Sequence, residues 1–225
     1  MPARTSVNRP PREPKAPKIP KTLTEAGEAD TELVHDGKYL SLEYGAVHLS
    51  GAGSEDVEFE RCRFTDTAFA GVSLRRAGFG DVAFKGCDLA NLRLSGSRML
   101  NATVSNCRMT GTHMVEGVVR DVTFDGCRAD LAGFRFCNLR DVVFRDCNLS
   151  EATFQNAELT NVRFENCKLV ATQFSHATMK AVRFSGCDLS GVAGIQSFAG
   201  ATVSGADATG LLTAMASALG IKIED

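Results

Sequence analysis

The chain has 225 residues, 44% of them hydrophobic, with 27 acidic and 25 basic side chains and a formal net charge of −2. This balance excludes a chain that is acidic or basic as a whole. No two of its eight cysteines lie closer than ten residues, which excludes the close Cys-x-x-Cys pairs of a structural zinc site.

Residues 1–21 hold all six prolines, together with Arg4, Arg9, Arg12, Lys15, Lys18 and Lys21 against the single acid Glu13. Such a segment cannot bury a core, so it is expected to be a disordered or polyproline-like basic arm. It lacks the apolar stretch of a secretory leader, and the expected location is the cytoplasm, with no membrane partner. Two readings stand: a solvated tail, or an arm that touches nucleic acid, an anionic surface or an acidic partner.

Residues 22–56 reverse the sign, with eight acids against Lys38. They read as an acidic N-terminal cap and an imperfect first coil. Leu42, Tyr44, Val47 and Leu49 fit the five-residue spacing that is regular from Phe59 onward, and Ser54 breaks it. The basic arm could fold back on this cap and neutralise it.

From Phe59 to Leu189 every fifth residue is apolar, 27 in succession: twelve Phe, eight Leu, four Met, two Val and Ala129. Two residues before each lies a smaller residue, and all eight cysteines belong to this second series. Period five suits neither a helix nor an ordinary strand. It reads as a very short extended segment followed by a corner. Asp, Asn and Gly dominate the corner position, for example Asp81, Gly86, Asn101, Asp121, Gly126, Asp141 and Asn161. These types tolerate tight turns.

A second period of twenty overlies the first. Cys87, Cys107, Cys127, Cys147, Cys167 and Cys187 form one column, and Phe84, Val104, Phe124, Phe144, Phe164 and Phe184 another. Four pentapeptides therefore make one coil, and like residues stack on like. Residues 57–193 are expected to form an all-β, four-sided solenoid of just under seven coils. At strand spacing this is a rod of roughly 30 Å.

Runs such as Cys87-Asp88-Leu89-Ala90-Asn91 and Cys147-Asn148-Leu149-Ser150-Glu151 resemble the A(D/N)LXX unit of pentapeptide-repeat proteins. The resemblance implies a right-handed quadrilateral β-helix, often dimeric through a C-terminal helix. The middle residue is basic in many units (Arg63, Arg93, Arg108, Arg163, Lys168, Arg183), where the family pattern has Asp or Asn. Some members are acidic rods that resemble duplex DNA and bind or protect type II topoisomerases such as DNA gyrase.

Residues 194–225 read as a C-terminal cap. Asp207 to Leu219 is expected to be helical, capped by Asp207 or Thr209 and ended by Gly220. Leu211, Leu212, Met215 and Leu219 share one side, which either covers the open end of the rod or meets a second copy.

No nucleophile-and-base set, phosphate loop or paired carboxylates emerge, so neither catalysis nor a cofactor is expected. The thiols read as core filler, and His35, His48, His113 and His176 as surface residues. The candidate sites lie on the faces. Asp121, Asp125, Asp130, Asp141, Asp146 and Glu151 could form an acidic face, although residues 57–192 carry 17 basic against 15 acidic side chains. Leu131 and Phe136 put large apolar groups at corners, with Val115, Val118 and Leu100 outward nearby. These five are either a contact patch, or a bulge in which Leu131 and Phe136 tuck inside to fill space left by Ala129. The function expected is protein binding or scaffolding through the faces of the solenoid. The alternative is a DNA-mimicking modulator of gyrase.

Overall fold

The computed structural model describes residues 12–222, and the fold is a parallel β-solenoid closed by one short helix. Successive coils pair in parallel with a register of twenty residues. Arg98 lies beside Val118, Val122 beside Val142 and Val142 beside Val162. Five eight-residue strands, Gly78–Lys85, Arg98–Ser105, Val118–Asp125, Asn138–Arg145 and Glu158–Glu165, each bend around one corner and so build two of the four sides. A ladder from Ala52–Glu55 through Ser73–Arg75 and Arg93–Ser95 to His113–Val115 begins the third side. Single bridges from His48 through Asp88, Arg128 and Lys168 to Asp188 mark the fourth.

The corners explain the period. Every fifth residue from Asp56 to Gly191 has a positive φ, between 51° and 75°. A left-handed residue turns the chain inside a single position, and Gly, Asn and Asp adopt that conformation most easily. Both inward series are buried throughout residues 57–192. Stacked aromatic columns run up the interior. Phe124, Phe144, Phe164 and Phe184 have centroid spacings of 4.8, 5.1 and 4.9 Å. Tyr44, Phe64 and Phe84 continue the same column below, at 4.8 and 4.7 Å. Val104 and the methionines Met99, Met109 and Met114 separate the two stacks, flexible side chains filling a coil without aromatic rings.

The smaller inward series does more than fill space. Thr112 Oγ1 donates to the carbonyl of Leu89 at 2.6 Å and Thr172 Oγ1 to Leu149 at 2.8 Å. Cysteine thiols repeat this contact more weakly: Cys127 to Val104 at 3.3 Å, Cys137 to Met114 at 2.8 Å and Cys167 to Phe144 at 3.3 Å. The slot thus takes a small residue that can also donate to the coil below.

The rod has about nine turns rather than the seven expected, roughly 40 Å at strand spacing. Backbone pairing continues past the apolar repeat at both ends, with a shortened register: Thr24 pairs with Leu42, Glu32 with Ser50 and Arg183 with Thr202. Ser54, which breaks the apolar pattern, still occupies an inward slot; it is buried and donates to the carbonyl of Leu33 at 2.7 Å. At the N-terminal end Tyr39 stacks on Phe59, and its hydroxyl donates to the carbonyl of Glu32 at 3.2 Å. At the other end Phe198, outside the five-residue register, stacks on Phe184 at 5.1 Å.

The C-terminal segment is a 3-10 turn, Asp207–Leu211, followed by helix α1, Leu212–Ala218. Asp207 does not cap α1. Its buried carboxylate instead accepts the backbone N–H of Cys187 at 2.9 Å, which would otherwise be an orphan donor on the last coil.

Candidate interaction surfaces

Every inward position is used for packing, so chemistry is confined to the outer residues. Among the described residues no group of three His, Cys, Asp or Glu side chains is placed to hold a metal, and no helix is long and apolar enough to cross a membrane. All eight cysteines are buried free thiols. Burial pushes the Cys62 thiol up and the Cys137 thiol to about 11. In the column, hydrogen bonds with Cys127 and Cys87, with burial, push Cys107 far above the usual thiol range.

The six carboxylates of the expected acidic face lie on different parts of the square. Asp121 and Asp141 share the corner row of Asp81, Asn101 and Asn161; Asp146 and Glu151 mark the next two corners; Asp125 and Asp130 lie on the sides between. Several of the chain's other acids pair with arginines a coil away. Arg76 bridges Asp56 and Glu55, both at 2.6 Å, Arg108 meets Asp88 at 2.9 Å, and Arg145 meets Glu165 at 3.0 Å. Each such exposed pair contributes little stability, but it sets a positive charge beside those carboxylates.

Asp121 and Asp141 are also covered. Residues 12–21, expected as an unattached arm, lie along their corner row and not on the acidic cap. Arg12 reaches Asp121 at 3.1 Å and Asp141 at 3.2 Å. The backbone N–H of Lys15 donates to Asp121 at 3.0 Å and that of Lys18 to Asp81 at 2.8 Å. Glu13 pairs with Arg163, whose guanidinium holds the Glu13 carboxyl below the usual carboxylate range. Lys21 stays exposed, and Arg4 and Arg9 lie outside the described residues.

Leu131 and Phe136 point outward. They are 50% and 49% exposed, with φ of 60° and 57°, so neither tucks inside behind Ala129. They stand on adjacent corners. Val115 lies beside the coil position before Phe136, and Val118, 44% exposed, begins the next side. The Arg135 guanidinium lies 5.7 Å from the Phe136 ring centroid. Leu100 belongs instead to a separate depression of about 390 Å³ towards the N-terminal end, shared with Leu40, Gly80, Glu58 and Arg98. The sequence signal that could have revealed it is the pair Gly78 and Gly80, which interrupts the outward side chains of that side; a Cβ on Gly78 would meet the Glu58 carboxylate. On the C-terminal segment Leu211 is buried in the cap, while Leu212, Met215 and Leu219 are exposed.

A four-sided coil with a sealed core and all its variation outside defines a repeat protein that presents surface. The pentapeptide repeat region model matches residues 54–134, 77–154 and 130–193, and the chain belongs to the pentapeptide-repeat family. A search among curated proteins finds no matching sequence. Among solved structures the chain is similar to a trypsin-treated variant of QnrB1, a plasmid-mediated fluoroquinolone resistance protein. Identity is 20%, with 84% of this chain and 100% of that one covered and a TM-score of 0.39. It is also similar to HetL, involved in heterocyst differentiation regulation in the cyanobacterium Nostoc sp. strain PCC 7120. There the identity is 14%, with 73% and 85% covered and a TM-score of 0.37. A thylakoid-lumen pentapeptide-repeat protein of Arabidopsis thaliana matches at 17% identity over 50% of this chain and 65% of that one, with a TM-score of 0.31.

Proposed function

We propose that this is a non-enzymatic, cytoplasmic binding or scaffold module that engages another protein through the outer residues of its rod. The observation that carries this reading is the pair Leu131 and Phe136. Each exposes half of a large apolar side chain, and each sits at a left-handed corner where a non-glycine residue costs about 1–2 kcal/mol. Relief of that strain offsets most of what a monomer gains from the half-buried side chains, so their half-exposed apolar area on a polar rod is accounted for by a contact. A second copy is proposed to dock on Leu212, Met215 and Leu219 of the C-terminal segment, giving a homodimer. The test is chemical crosslinking in the native host with wild-type chain and with the double variant Leu131→Asn/Phe136→Asn. A crosslinked partner lost in the variant is expected; an unchanged set of products refutes the patch. Sedimentation of Met215→Glu against wild type tests the dimer separately.

The second reading, a DNA mimic acting on DNA gyrase or a related topoisomerase, would draw on the row Asp81, Asp121 and Asp141. That row is covered by the arm, and several of the other acids pair with arginines. No effect on gyrase supercoiling at micromolar protein, with or without a quinolone, ends this reading.

A further inference from the structure

The arm and the corner row share a common measure. From Arg12 onward the sequence repeats in threes: Arg12-Glu13-Pro14, Lys15-Ala16-Pro17, Lys18-Ile19-Pro20, Lys21. Pro14, Pro17, Pro20 and Ile19 are half-buried, while Arg12, Glu13, Lys15, Ala16 and Lys18 are exposed. A half-buried proline at every third residue fits a polyproline II helix lying on a surface, with Ile19 as an added contact at its end, and three residues of such a helix advance about 9.3 Å. Two coils of the rod advance about 9.6 Å. The contacts keep this measure. Lys18 meets Asp81, and Lys15, three residues earlier, meets Asp121, two coils further on. Three residues earlier again, Arg12 is met by Asn161, whose side-chain amide donates to its carbonyl at 3.1 Å. The odd coils between fall under the gaps, except that the Arg12 side chain also reaches Asp141.

We propose that this corner row is a recognition track for polyproline II segments with a basic residue at every third position, and that the chain's own residues 12–21 are its tethered occupant. The carboxylates at two-coil spacing accept backbone N–H groups, which a polyproline II helix leaves free of internal partners, and the prolines face the rod. Charge attracts the ligand, and the match of three residues to two coils selects it. A segment of another protein with the same repeat would have to displace the arm, so the arm sets the threshold for binding in trans. This inference deepens the binding role proposed above, but its test does not involve Leu131 or Phe136, so the two can fail separately.

The probe is a fluorescent peptide of residues 12–22, titrated by anisotropy into full-length protein. Against the full-length variant Arg12→Glu/Lys15→Glu/Lys18→Glu, whose own arm is repelled, the probe is expected to bind about ten-fold or more tighter than against wild type, where the tethered arm competes. Adding Asp121→Asn and Asp141→Asn should weaken it about ten-fold. A probe with one alanine inserted between Ala16 and Pro17 keeps the charge and every original side chain but loses the measure, and should bind about ten-fold more weakly. Equal binding of the shifted probe would reduce the contact to non-specific charge attraction and overturn the proposal. So would equal binding to wild type and arm-reversed protein. A readout that needs no variant is amide exchange in the wild-type chain. The Lys15 and Lys18 N–H groups should exchange more slowly than that of Ala16, and equal rates would equally overturn the proposal.

Discussion

Replacing Phe136 by Asn separates a surface role from a core role by its energetic sign. Phe136 sits at φ 57° and is 49% exposed. Relief of the left-handed strain returns about 1 kcal/mol, because Asn adopts that conformation readily, as Asn156 does on the same corner row. Against this, full burial of a Phe side chain is worth up to about 3 kcal/mol, so removing a half-buried ring loses roughly 1–1.5 kcal/mol. The exposed contact with Arg135 adds roughly 0.5 kcal/mol to the loss. The opposing effects nearly cancel, and stability should change by no more than about 1 kcal/mol. Two residues away, Phe134 is 2% exposed and stacks on Phe154 at 5.1 Å. Phe134→Ala should cost about 3–5 kcal/mol. Urea denaturation of both variants gives the comparison. A loss above about 2 kcal/mol for Phe136→Asn would show that the ring packs as core, and the contact-patch reasoning would fail.

The six thiols of the cysteine column should react with a thiol reagent no faster than the protein unfolds, since each is sealed between coils; rapid labelling of native protein would overturn the register. Alkaline pH should destabilise the fold through Cys137. Its folded thiol titrates near 11 against an ordinary value of 9.0, so the neutral form is preferred in the folded state and the unfolded chain loses its proton first. The contribution is fully present well below pH 9 and is lost as pH rises through 11, with roughly 2 kcal/mol gone by pH 11, at about 1.36 kcal/mol per pKa unit. Cys137→Ala should lack that share of the loss, and identical pH profiles would refute it. Asp207→Ala strands the Cys187 N–H and should cost about 1–3 kcal/mol, whereas Asp207→Asn keeps an acceptor and should cost less; unchanged urea midpoints for both would show that the cap lies elsewhere.

Legibility in the sequence followed the physics of repetition. A residue that recurs every five positions must meet the same environment at each recurrence. Phe59 to Leu189, and the cysteine column beside them, therefore disclosed the coil, its four sides and every inward slot. The ends were illegible for the converse reason. Thr24, Glu32 and Thr202 join coils by backbone pairing alone, at registers of 18 and 19 residues, and no side-chain period records a backbone hydrogen bond. Ser54 and Phe198 show the same limit from the side-chain side. One is a polar group in an apolar slot, satisfied by the Leu33 carbonyl; the other is an aromatic outside the register that still finds the Phe184 column.

The arm was half legible. Its composition announced an extended basic chain, and the sequence held its threefold repeat in plain view. What it could not disclose was that three residues of that chain span two coils of the rod, because this equality joins two helices of different kinds and exists only when both are built. The carboxylates make the same point. Asp121, Asp125, Asp130, Asp141, Asp146 and Glu151 are neighbours in sequence, yet in a solenoid neighbours in sequence are dealt around the corners, and neighbours in space lie twenty residues apart. The row that matters, Asp81, Asp121 and Asp141, becomes visible only when the chain is read by the coil. Specificity in such a rod then arises from the spacing between coils more than from any single side chain, so a one-residue insertion in the arm should be more damaging than the loss of one charge.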